Sequence, residues 1–385
     1  MRIGTGCEAI ALWGILFLAA CDQQATEPSA KAPDPVATMM AADTMAIGGR
    51  SETYVVVTPQ GGWKITKTYL QTFVCPTSAP PGEARDVNDN NWIVGWGAVL
   101  SRTGGCDRHA FLIRPGQRIR DITNRAYDAE AVAVNNRGTV VGVADGRAFR
   151  WTLTTGLQYL PLLAGIPGVP TAIDEGDNIV GTVATASGRR AVLWPAAGGV
   201  IDLAPMTDAR AVSYGEVYGA APLGPSGDHA VLRQSDGTLI DLGTQGTGAV
   251  ATGWITGAIV GNYVDVAGGE HAVFMNRYGQ PWTPIPTIGG LLNQANAANA
   301  EYRGNSGAVV GWSEIFDPYL GNDREAFFWS TAAGSLRLNI APPDACGGFD
   351  SEARAVNRGG LVVGGEADCT VIGRKPVSWK VSPLP

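Results

Sequence analysis

The sequence predicts an all-β protein, a seven-bladed β-propeller built from four-stranded antiparallel blades. Three observations support this fold class: a phrase of three predicted strands returns seven times, its middle strand is apolar on both faces, and turn-forming residues precede that strand. The clearest column is the glycine that closes the middle strand. Its copies lie 38 to 53 residues apart, a period typical of propellers and solenoids. These glycines are Gly95, Gly142, Gly181, Gly219, Gly261, Gly311 and Gly364.

The first strand of the phrase has the form Ala-x-Ala-Val-Asn. Asn, Asp and Gly separate it from the second strand, and these residues tolerate the positive φ of tight turns, so each pair of strands is predicted to be a β-hairpin. Clear copies are Ala84–Asn88, Ala131–Asn135, Pro170–Asp174, Ala209–Ser213 and Ala353–Asn357, with looser copies at Ala249 and Ala298.

The third strand begins with a polar residue, continues with Ala and then Phe or Val, and usually has Trp at its fifth position. The first, third and fifth positions share one face of the strand, and the Ala lies on the other. A short fourth strand follows in several repeats, as at Gly199–Leu203, and completes a four-stranded blade. The third strands begin at His109, Arg147, Arg190, His229, His271, Glu325 and Lys375.

The number of blades depends on how the chain closes. An apolar strand needs cover on both faces, which neighbouring blades supply in a closed ring, whereas a linear solenoid needs polar caps that the first and last repeats lack. Residues 54–66 resemble the second half of a repeat, and we expect them to supply the outer strand missing after Trp379. Because that fragment and the last repeat both contain a third strand, an eight-bladed propeller is the alternative.

The repeat resembles the HAF repeat of secreted bacterial proteins, which is named after its His-Ala-Phe. Residues 109–111 match that name, His229 and His271 begin His-Ala-Val variants, and four repeats replace the histidine. The resemblance covers roughly residues 84–385. It implies an extracytoplasmic β-repeat protein, and it supplies no catalytic residues.

The chain before the repeats predicts an address outside the cytoplasm. Residues 1–20 are predicted to be a lipoprotein signal peptide, because their apolar run is too short to span a bilayer. Residues 18–21 resemble the bacterial lipobox, in which the thiol of Cys21 receives a lipid; the alternative is a plain secretory signal. Residues 21–50, rich in Ala, Pro, Thr and Ser, are predicted to be a disordered tether, and residues 51–385 the propeller. We therefore expect a protein that is lipid-anchored to the bacterial envelope, in the periplasm or at the cell surface.

Four further cysteines are expected to form disulfides in an oxidising compartment. Cys75 and Cys346 each precede a first strand, and Cys106 and Cys369 each fall between a second and a third strand. These equivalent positions predict the pairs Cys75–Cys106 and Cys346–Cys369. The first and last blades would be neighbours in a closed ring, so cross-pairing is an open alternative.

The composition limits the partners and the chemistry. The chain has 28 Lys and Arg against 35 Asp and Glu, a net charge of −7, and no basic run, which argues against nucleic acid because phosphates require clustered cations. It contains no nucleophile elbow and no glycine-rich phosphate loop. The three histidines occupy the same strand position in different repeats, so we predict no metal site, no cofactor and no catalytic residue.

The most individual segment is an insertion between the second and third strands of the sixth repeat. It carries aromatic residues beside carboxylates, a combination that suits a sugar ring or a peptide, and propeller loops often carry function. The alternative is that these aromatics pack over the edge of the blade. The candidate ligand-binding residues are Trp312, Glu314, Phe316, Asp317 and Tyr319.

Together these features predict a monomeric, non-catalytic binding or scaffolding module whose face loops contact an envelope or extracellular protein or glycan, with the membrane touched only through the lipid anchor. The competing class is an envelope polysaccharide hydrolase or lyase that uses carboxylates at the mouth of the central channel. A third possibility is passive structural filler without a concave site. Clustered carboxylates beside an open cleft would favour the enzyme, and a channel plugged by repeat side chains would favour the module.

Overall fold

The protein folds as a seven-bladed β-propeller, and the eight-bladed alternative is wrong. The computed structural model describes residues 37–39, 51–73, 75, 82–101, 104–123, 126, 128–225, 227–255, 257–276, 280–299, 302, 307–317, 321–339, 350–367 and 374–385. Every regular element in these ranges is a β-strand, and none of them contains a helix long and apolar enough to cross a membrane.

The strands follow the repeats along the chain. Before the repeats come β1 (Ala37–Met39), β2 (Ser51–Thr58) and β3 (Gly61–Tyr69). Blade 1 contains β4 (Gly82–Val87), β5 (Ile93–Leu100), β6 (Cys106–Ile113) and β7 (Arg120–Asp121). Blade 2 contains β8 (Ala129–Val134), β9 (Val140–Ala144), β10 (Arg147–Thr152) and β11 (Gly156–Tyr159). Blade 3 contains β12 (Gly168–Ile173), β13 (Ile179–Thr185), β14 (Gly188–Trp194) and β15 (Ile201–Asp202).

Blades 4 to 7 repeat this order. Blade 4 contains β16 (Asp208–Ser213), β17 (Glu216–Gly224), β18 (Gly227–Arg233) and β19 (Leu239–Gly243). Blade 5 contains β20 (Gly248–Ile255), β21 (Ala258–Val264), β22 (Glu270–Met275) and β23 (Thr283–Pro284). Blade 6 contains β24 (Asn293–Asn299), β25 (Ala308–Asp317), β26 (Gly321–Ser330) and β27 (Gly334–Arg337). Blade 7 begins with β28 (Ser351–Val356), β29 (Leu361–Ala367) and β30 (Arg374–Pro383). The first strand of every blade lies at the axis, beside the first strands of both neighbours.

The N-terminal strands close the ring, as the sequence predicts. β3 pairs antiparallel with β30, so that Ile65 lies opposite Val381, and it supplies the fourth strand of blade 7. β2 and β1 extend the same sheet outward to six strands. An eighth blade does not form, because β2 and β3 hydrogen-bond onto blade 7 instead of starting a sheet of their own.

Seven hydrophobic clusters fill the seven interfaces between blades. The cluster between blades 1 and 2, for example, joins Val94 and Leu112 of blade 1 to Phe149 and Trp151 of blade 2. The other six join each further pair of neighbours, including blades 7 and 1. Each large side chain buried in such a cluster contributes about 1.5–3 kcal/mol. The prediction that neighbouring blades cover both faces of the second strands is therefore confirmed.

A β-bulge in the first strand of each blade explains the glycine column. In all seven blades the ladder between the first and second strands shifts by one residue opposite the column glycine. The bulge pushes a first-strand carbonyl toward that glycine, and a Cβ built there would lie 1.8 to 2.6 Å from the carbonyl oxygen. The glycine is thus required for close backbone approach, not for a turn. The bulged residues are Arg85, Val132, Thr171, Arg210, Thr252, Asn296 and Arg354.

The asparagine that ends several first strands joins adjacent blades. The side-chain oxygen of Asn135 accepts the N–H of Thr139 at 3.0 Å, and its Nδ2 donates to the carbonyl oxygen of Asp174 in blade 3, also at 3.0 Å. Asn88 and Asn357 donate in the same way to the turns of blades 2 and 1. The predicted hairpins are confirmed. The positive φ in these turns lies on a residue after the asparagine, such as Gly138 with a φ of 82°.

Among the described residues, the polar residue that begins the third strand forms a charged pair with the fourth strand of its own blade in blades 1, 3, 4 and 6. His109 contacts Asp121 at 2.6 Å, and His229 contacts Asp241 at 3.0 Å. In blade 3 Arg190 contacts Asp202, and in blade 6 the charges are exchanged, with Glu325 bound to Arg337. The histidine positions therefore belong to a blade-level pairing pattern.

The disulfide Cys75–Cys106 forms as predicted and joins the segment before blade 1 to its third strand. Cys346 and Cys369 lie outside the described residues, as do Cys21 and residues 1–20. Within the predicted tether the structure describes only β1, in which Ala37 pairs with Val56 of β2.

The glycine column yields a stability prediction. We expect Gly142→Ala to lower the free energy of unfolding by about 2–3 kcal/mol, because the added Cβ would stand 2.0 Å from the carbonyl oxygen of Glu130. Gly105→Ala is the matched control, since the nearest atom to its Cβ would be 3.9 Å away, and it should change stability by less than about 0.5 kcal/mol. Urea unfolding followed by near-ultraviolet circular dichroism measures both, and equal losses would contradict the bulge explanation.

A second prediction concerns pH. Burial raises the pKa of Glu325 from 4.5 to about 7, outweighing its bonds to Arg337 and Ser351. The folded state thus holds this proton more tightly than the unfolded chain, so the contribution of Glu325 favours folding at acid pH and is lost as pH rises to about 7. Between pH 5 and pH 8 the wild type should lose about 2–3 kcal/mol of unfolding free energy relative to Glu325→Gln. Urea unfolding at the two pH values measures the difference, the exposed Asp236→Asn serves as control, and a pH-independent difference would refute the assignment.

Candidate functional site

The axis of the ring contains a cavity of about 670 Å³, here called the central cavity. The first strands of all seven blades line it, from the bulged residue to the turn before the second strand. The turn residues Asp89, Glu175 and Tyr214 form its mouth. The mouth therefore lies on the face that carries the turns between first and second strands.

The repeated Ala-x-Ala of the first strand creates this space. The first alanine, such as Ala131, is fully buried in an interface between blades, and the second, such as Ala133, lines the central cavity. Small side chains at this second position leave the central cavity open. Six blades carry Ala or Gly there, and blade 1 carries Asp86 instead. The seven residues are Asp86, Ala133, Ala172, Ala211, Gly253, Ala297 and Ala355.

Two layers of charge lie beneath the cavity. The bulged arginines Arg85, Arg210 and Arg354, here called the arginine layer, line its inner end. Four carboxylates lie two residues before the bulged residue of their own first strand, and they do not line the cavity. They are here called the carboxylate layer: Glu83, Glu130, Asp208 and Glu352.

An ion-pair network joins the two layers across the axis. The guanidinium of Arg354 donates to Glu83 and to Glu352, each at 2.9 Å. Arg85 contacts Glu83 at 3.4 Å and Glu130 at 3.3 Å, which links blades 7, 1 and 2. Side chains of the repeat therefore occupy the channel below the central cavity.

The network keeps Glu83 ionised. Glu83 is only 4% exposed, and burial alone would raise its pKa, but Arg354 and Arg85 hold the pKa below its usual value. In blade 4 the carboxylate of Asp208 is likewise bound by Arg210, at 2.7 Å. A general acid for glycoside cleavage needs a raised pKa and access to the substrate, and Glu83 has neither.

Asp86 differs from the carboxylate layer because no described cation pairs with it. Its Oδ1 accepts the N–H of Val87 and its Oδ2 the N–H of Val134 in blade 2, both at 2.8 Å. Burial raises its pKa to about 6, and the two backbone hydrogen bonds only partly oppose this shift. Asp86 is thus a charge in the cavity wall that only neutral donors satisfy.

Two aromatic side chains stand on the opposite wall. In a ring of seven, blade 1 faces the seam between blades 4 and 5, where Tyr214 and Trp254 line the cavity. Tyr214 is 84% exposed, with a φ of 51°. Trp254 is half-buried, because part of its side chain packs against the hydrophobic cluster between blades 4 and 5. Sequence analysis missed all three residues, although Asp86 could have been found as the one departure from a column of small residues.

The structure places the predicted ligand-binding segment at the other face. It is an extension of the β25–β26 hairpin, in which Trp312 is 3% exposed, donates from Nε1 to Gln294 and lies under the guanidinium of Arg324. Phe316 is 63% exposed, and Glu314 binds the neighbouring segment through its backbone. Asp317 belongs to β25, but its side chain and all of Tyr319 lie outside the described residues. The described members therefore do not converge, and Trp312 has no free surface for a ligand.

The histidines and the turn carboxylates have local partners. His109, His229 and His271 lie in blades 1, 4 and 5, each beside a carboxylate of its own blade. The Oδ1 of Asp174 accepts the N–H groups of Gly176 and Asn178, which forms its turn. Among the described residues, no group of three or more His, Cys, Asp or Glu could hold a metal ion.

Comparison with known proteins identifies the fold. No family model matches the chain, and no curated protein does. The β-propeller domain of the Trilobed protease from Pyrococcus furiosus has a TM-score of 0.53 and 9% identity, covering 79% of this chain and 98% of that one. TolB from Acinetobacter baumannii has a TM-score of 0.44 and 11% identity, covering 74% and 79% of the two chains. The BP39L lectin from Burkholderia pseudomallei has a TM-score of 0.44 and 11% identity, covering 80% and 99%. At such identities the first likeness shows the propeller fold alone.

The ion-pair network yields a third prediction. We expect Arg354→Met to lower the free energy of unfolding by about 2–3 kcal/mol, because it leaves Glu83 and Glu352 buried with fewer cations. The matched control is Arg137→Met, since Arg137 is 61% exposed and pairs with a turn carboxylate, and it should cost less than about 1 kcal/mol.

A double-mutant cycle separates the network from lost packing. Adding Glu83→Gln to Arg354→Met should restore about 1 kcal/mol, because it removes one of the two buried carboxylates that lost their arginine partner at 2.9 Å. Urea unfolding of the four proteins measures the coupling. Strictly additive losses would show that Arg354 and Glu83 do not interact energetically.

Proposed function

We propose that the protein is a non-catalytic binding module of the bacterial envelope and that its ligand enters the central cavity. The observation that carries this proposal is an accessible cavity whose inner end is closed by arginines already bound to carboxylates. Such a site offers a shaped, preorganised surface, as ligand sites require.

The pairing of the carboxylate layer with arginines supports binding over catalysis. The hydrolase alternative requires one carboxyl group that donates a proton and a second that attacks or activates water, both in reach of the sugar. Glu83 and Glu352 are held by Arg354 beneath the arginine layer, and neither lines the cavity. This arrangement matches the plugged channel that the sequence analysis associates with a module.

The proposed location rests on the sequence and on one bond. The lipobox-like residues 18–21 support attachment of a lipid at Cys21, and the predicted tether of residues 21–50 would join that anchor to the propeller. The disulfide Cys75–Cys106 suits an oxidising compartment such as the periplasm or the cell surface. We propose a monomer that touches the membrane only through its lipid.

The proposed partner is an envelope or extracellular glycan or protein segment. Amide, hydroxyl and aromatic side chains of six blades line the cavity, including Asn296, Thr171 and Trp254. A volume of about 670 Å³ accommodates a short oligosaccharide or a few residues of a peptide. A nucleic acid is a poor fit, because the mouth carries Asp89 and Glu175 and the chain has no basic run.

The fourth prediction tests the site. Arrays of bacterial envelope glycans and of peptides would be probed with the wild type and with Ala211→Phe, which fills the bore without adding charge. We expect the array signals to fall at least about tenfold, because the ligand and the new ring compete for the same volume. The matched control is Val266→Phe on the other face, where Val266 is 89% exposed, and it should leave the signals unchanged.

Two results would overturn the proposal. Equal signals from Ala211→Phe and the wild type would remove the central cavity as the site. Release of reducing ends from envelope polysaccharide by the wild type, abolished in Asp86→Asn, would establish the enzyme instead, because Asp86 lines the cavity and has a raised pKa.

A further inference from the structure

The strongest unassigned feature of the molecule is the chemical asymmetry of the central cavity. Five blades place only small or aliphatic residues at the position that follows the bulge and at the next one. Blade 1 contributes a carboxylate there, Asp86, and blade 5 contributes an aromatic ring, Trp254. Because blade 1 faces the seam between blades 4 and 5, the carboxylate and the ring stand across the bore from each other, with Tyr214 beside the ring at the mouth.

The charge of Asp86 is not balanced within the described residues. No ion pair involves it, and its two oxygens accept only backbone N–H groups. A charge in a partly dehydrated wall is unfavourable unless a counter-charge approaches it. A cationic group of a ligand would supply that counter-charge from the cavity side.

The mouth of the central cavity is also negatively charged. Asp89 accepts the N–H of Arg358 and the amide of Asn136, and Glu175 accepts the N–H of Asn136, so both carboxylates are bound through neutral donors. Among the described residues, the side chains of Arg137 and Arg358 do not line the cavity. The potential along the entry path therefore favours cations.

The arginine layer does not reverse this preference. Arg85 and Arg354 are bound by Glu83, Glu130 and Glu352. In the same way, Arg210 is bound by Asp208. The same four carboxylates also bind Arg374, Arg108 and Arg189, two of which pair with Asp350 and Asp128 as well. Six arginines thus meet six carboxylates in the network beneath the cavity, and its inner end carries no net positive charge.

We propose that the central cavity binds its ligand through an ammonium group, primary or quaternary, held between the carboxylate of Asp86 and the aromatic faces of Trp254 and Tyr214. This inference rests on the proposed binding function and names the ligand class for the same site. Aromatic faces attract cations through the ring quadrupole, and a nearby carboxylate adds a direct ionic contact. The ring of Ala and Gly leaves the space that a methylated or lysine-like ammonium requires.

The test uses three small probes of different charge at pH 8: the cation choline, its neutral isostere 3,3-dimethylbutan-1-ol, and the anion butyrate. Isothermal titration calorimetry on the full-length protein measures the three association constants. We expect choline to bind at least about tenfold more tightly than the isostere, and butyrate to bind no better than the isostere. Equal binding of choline and the isostere, or preferential binding of butyrate, would overturn the proposal.

Variants of the wall locate the contact. Asp86→Ala should lower choline affinity at least about tenfold, and it introduces the residue that five other blades carry at this position. Asp86→Asn keeps an oxygen acceptor for the neighbouring backbone and should cause a similar loss. Trp254→Leu should weaken choline about fivefold while sparing the isostere. The matched acid-to-amide control is Asp236→Asn, on an exposed turn of blade 4, which should bind choline like the wild type.

The outcomes separate this proposal from the proposed function. If array ligands still depend on Ala211 but choline and its isostere bind equally, the cavity is a binding site and the ammonium preference is wrong. If Asp86→Asn is folded and keeps full choline affinity, the cation binds elsewhere. If Ala211→Phe alters neither array nor choline binding, both proposals fail.

Discussion

The close approach of backbone in the first two strands of each blade is the constraint on which the rest of the molecule depends. A β-bulge directs a carbonyl at a glycine without room for a Cβ, and seven such contacts repeat around the axis. The extra residue in each bulge and the residue that follows it both line the central cavity. One backbone irregularity therefore sets both the packing of the blades and the chemistry of the central cavity. Because bulges bend a strand and redirect its side chains, a channel lined in this way needs no insertion loop.

The fold follows from the sequence because its determinants are local and repeated. The apolar second strand, the hairpin turns and the third-strand pattern each recur seven times, so a pattern that would be weak evidence in one copy becomes strong evidence for the fold. Residues 54–66 could be assigned to the closing strand because they copy half of a repeat. What local patterns do not reveal is pairing across blades: Arg354 and Glu83 lie 271 residues apart and meet only because the ring closes.

The predicted ligand-binding segment and the central cavity are different features of the fold, for a physical reason. The hairpin around Trp312 is the longest departure from the repeat, and length and aromatic content suggested a binding loop. In the folded protein the additional residues extend two paired strands, and the indole packs against Gln294 and Arg324. Asp86 changes no length and introduces no rare residue, so its importance emerges only when the bulge shows that its column lines the bore.

What a departure from the repeat reveals depends on the role of the residue that the other blades carry at the same position. At a position that packs an interface, a substitution is constrained by volume, and polar changes there have structural partners, as Glu325 has Arg337 and Ser351. At a position that lines an open cavity, packing imposes little, and an ionisable residue adds a desolvation cost that the fold does not require. Six blades avoid that cost with Ala or Gly, while blade 1 accepts it at Asp86. The carboxylate of Asp86 accepts backbone N–H groups of Val87 and, in blade 2, of Val134, and the cation that we propose would supply the counter-charge that these neutral donors do not provide.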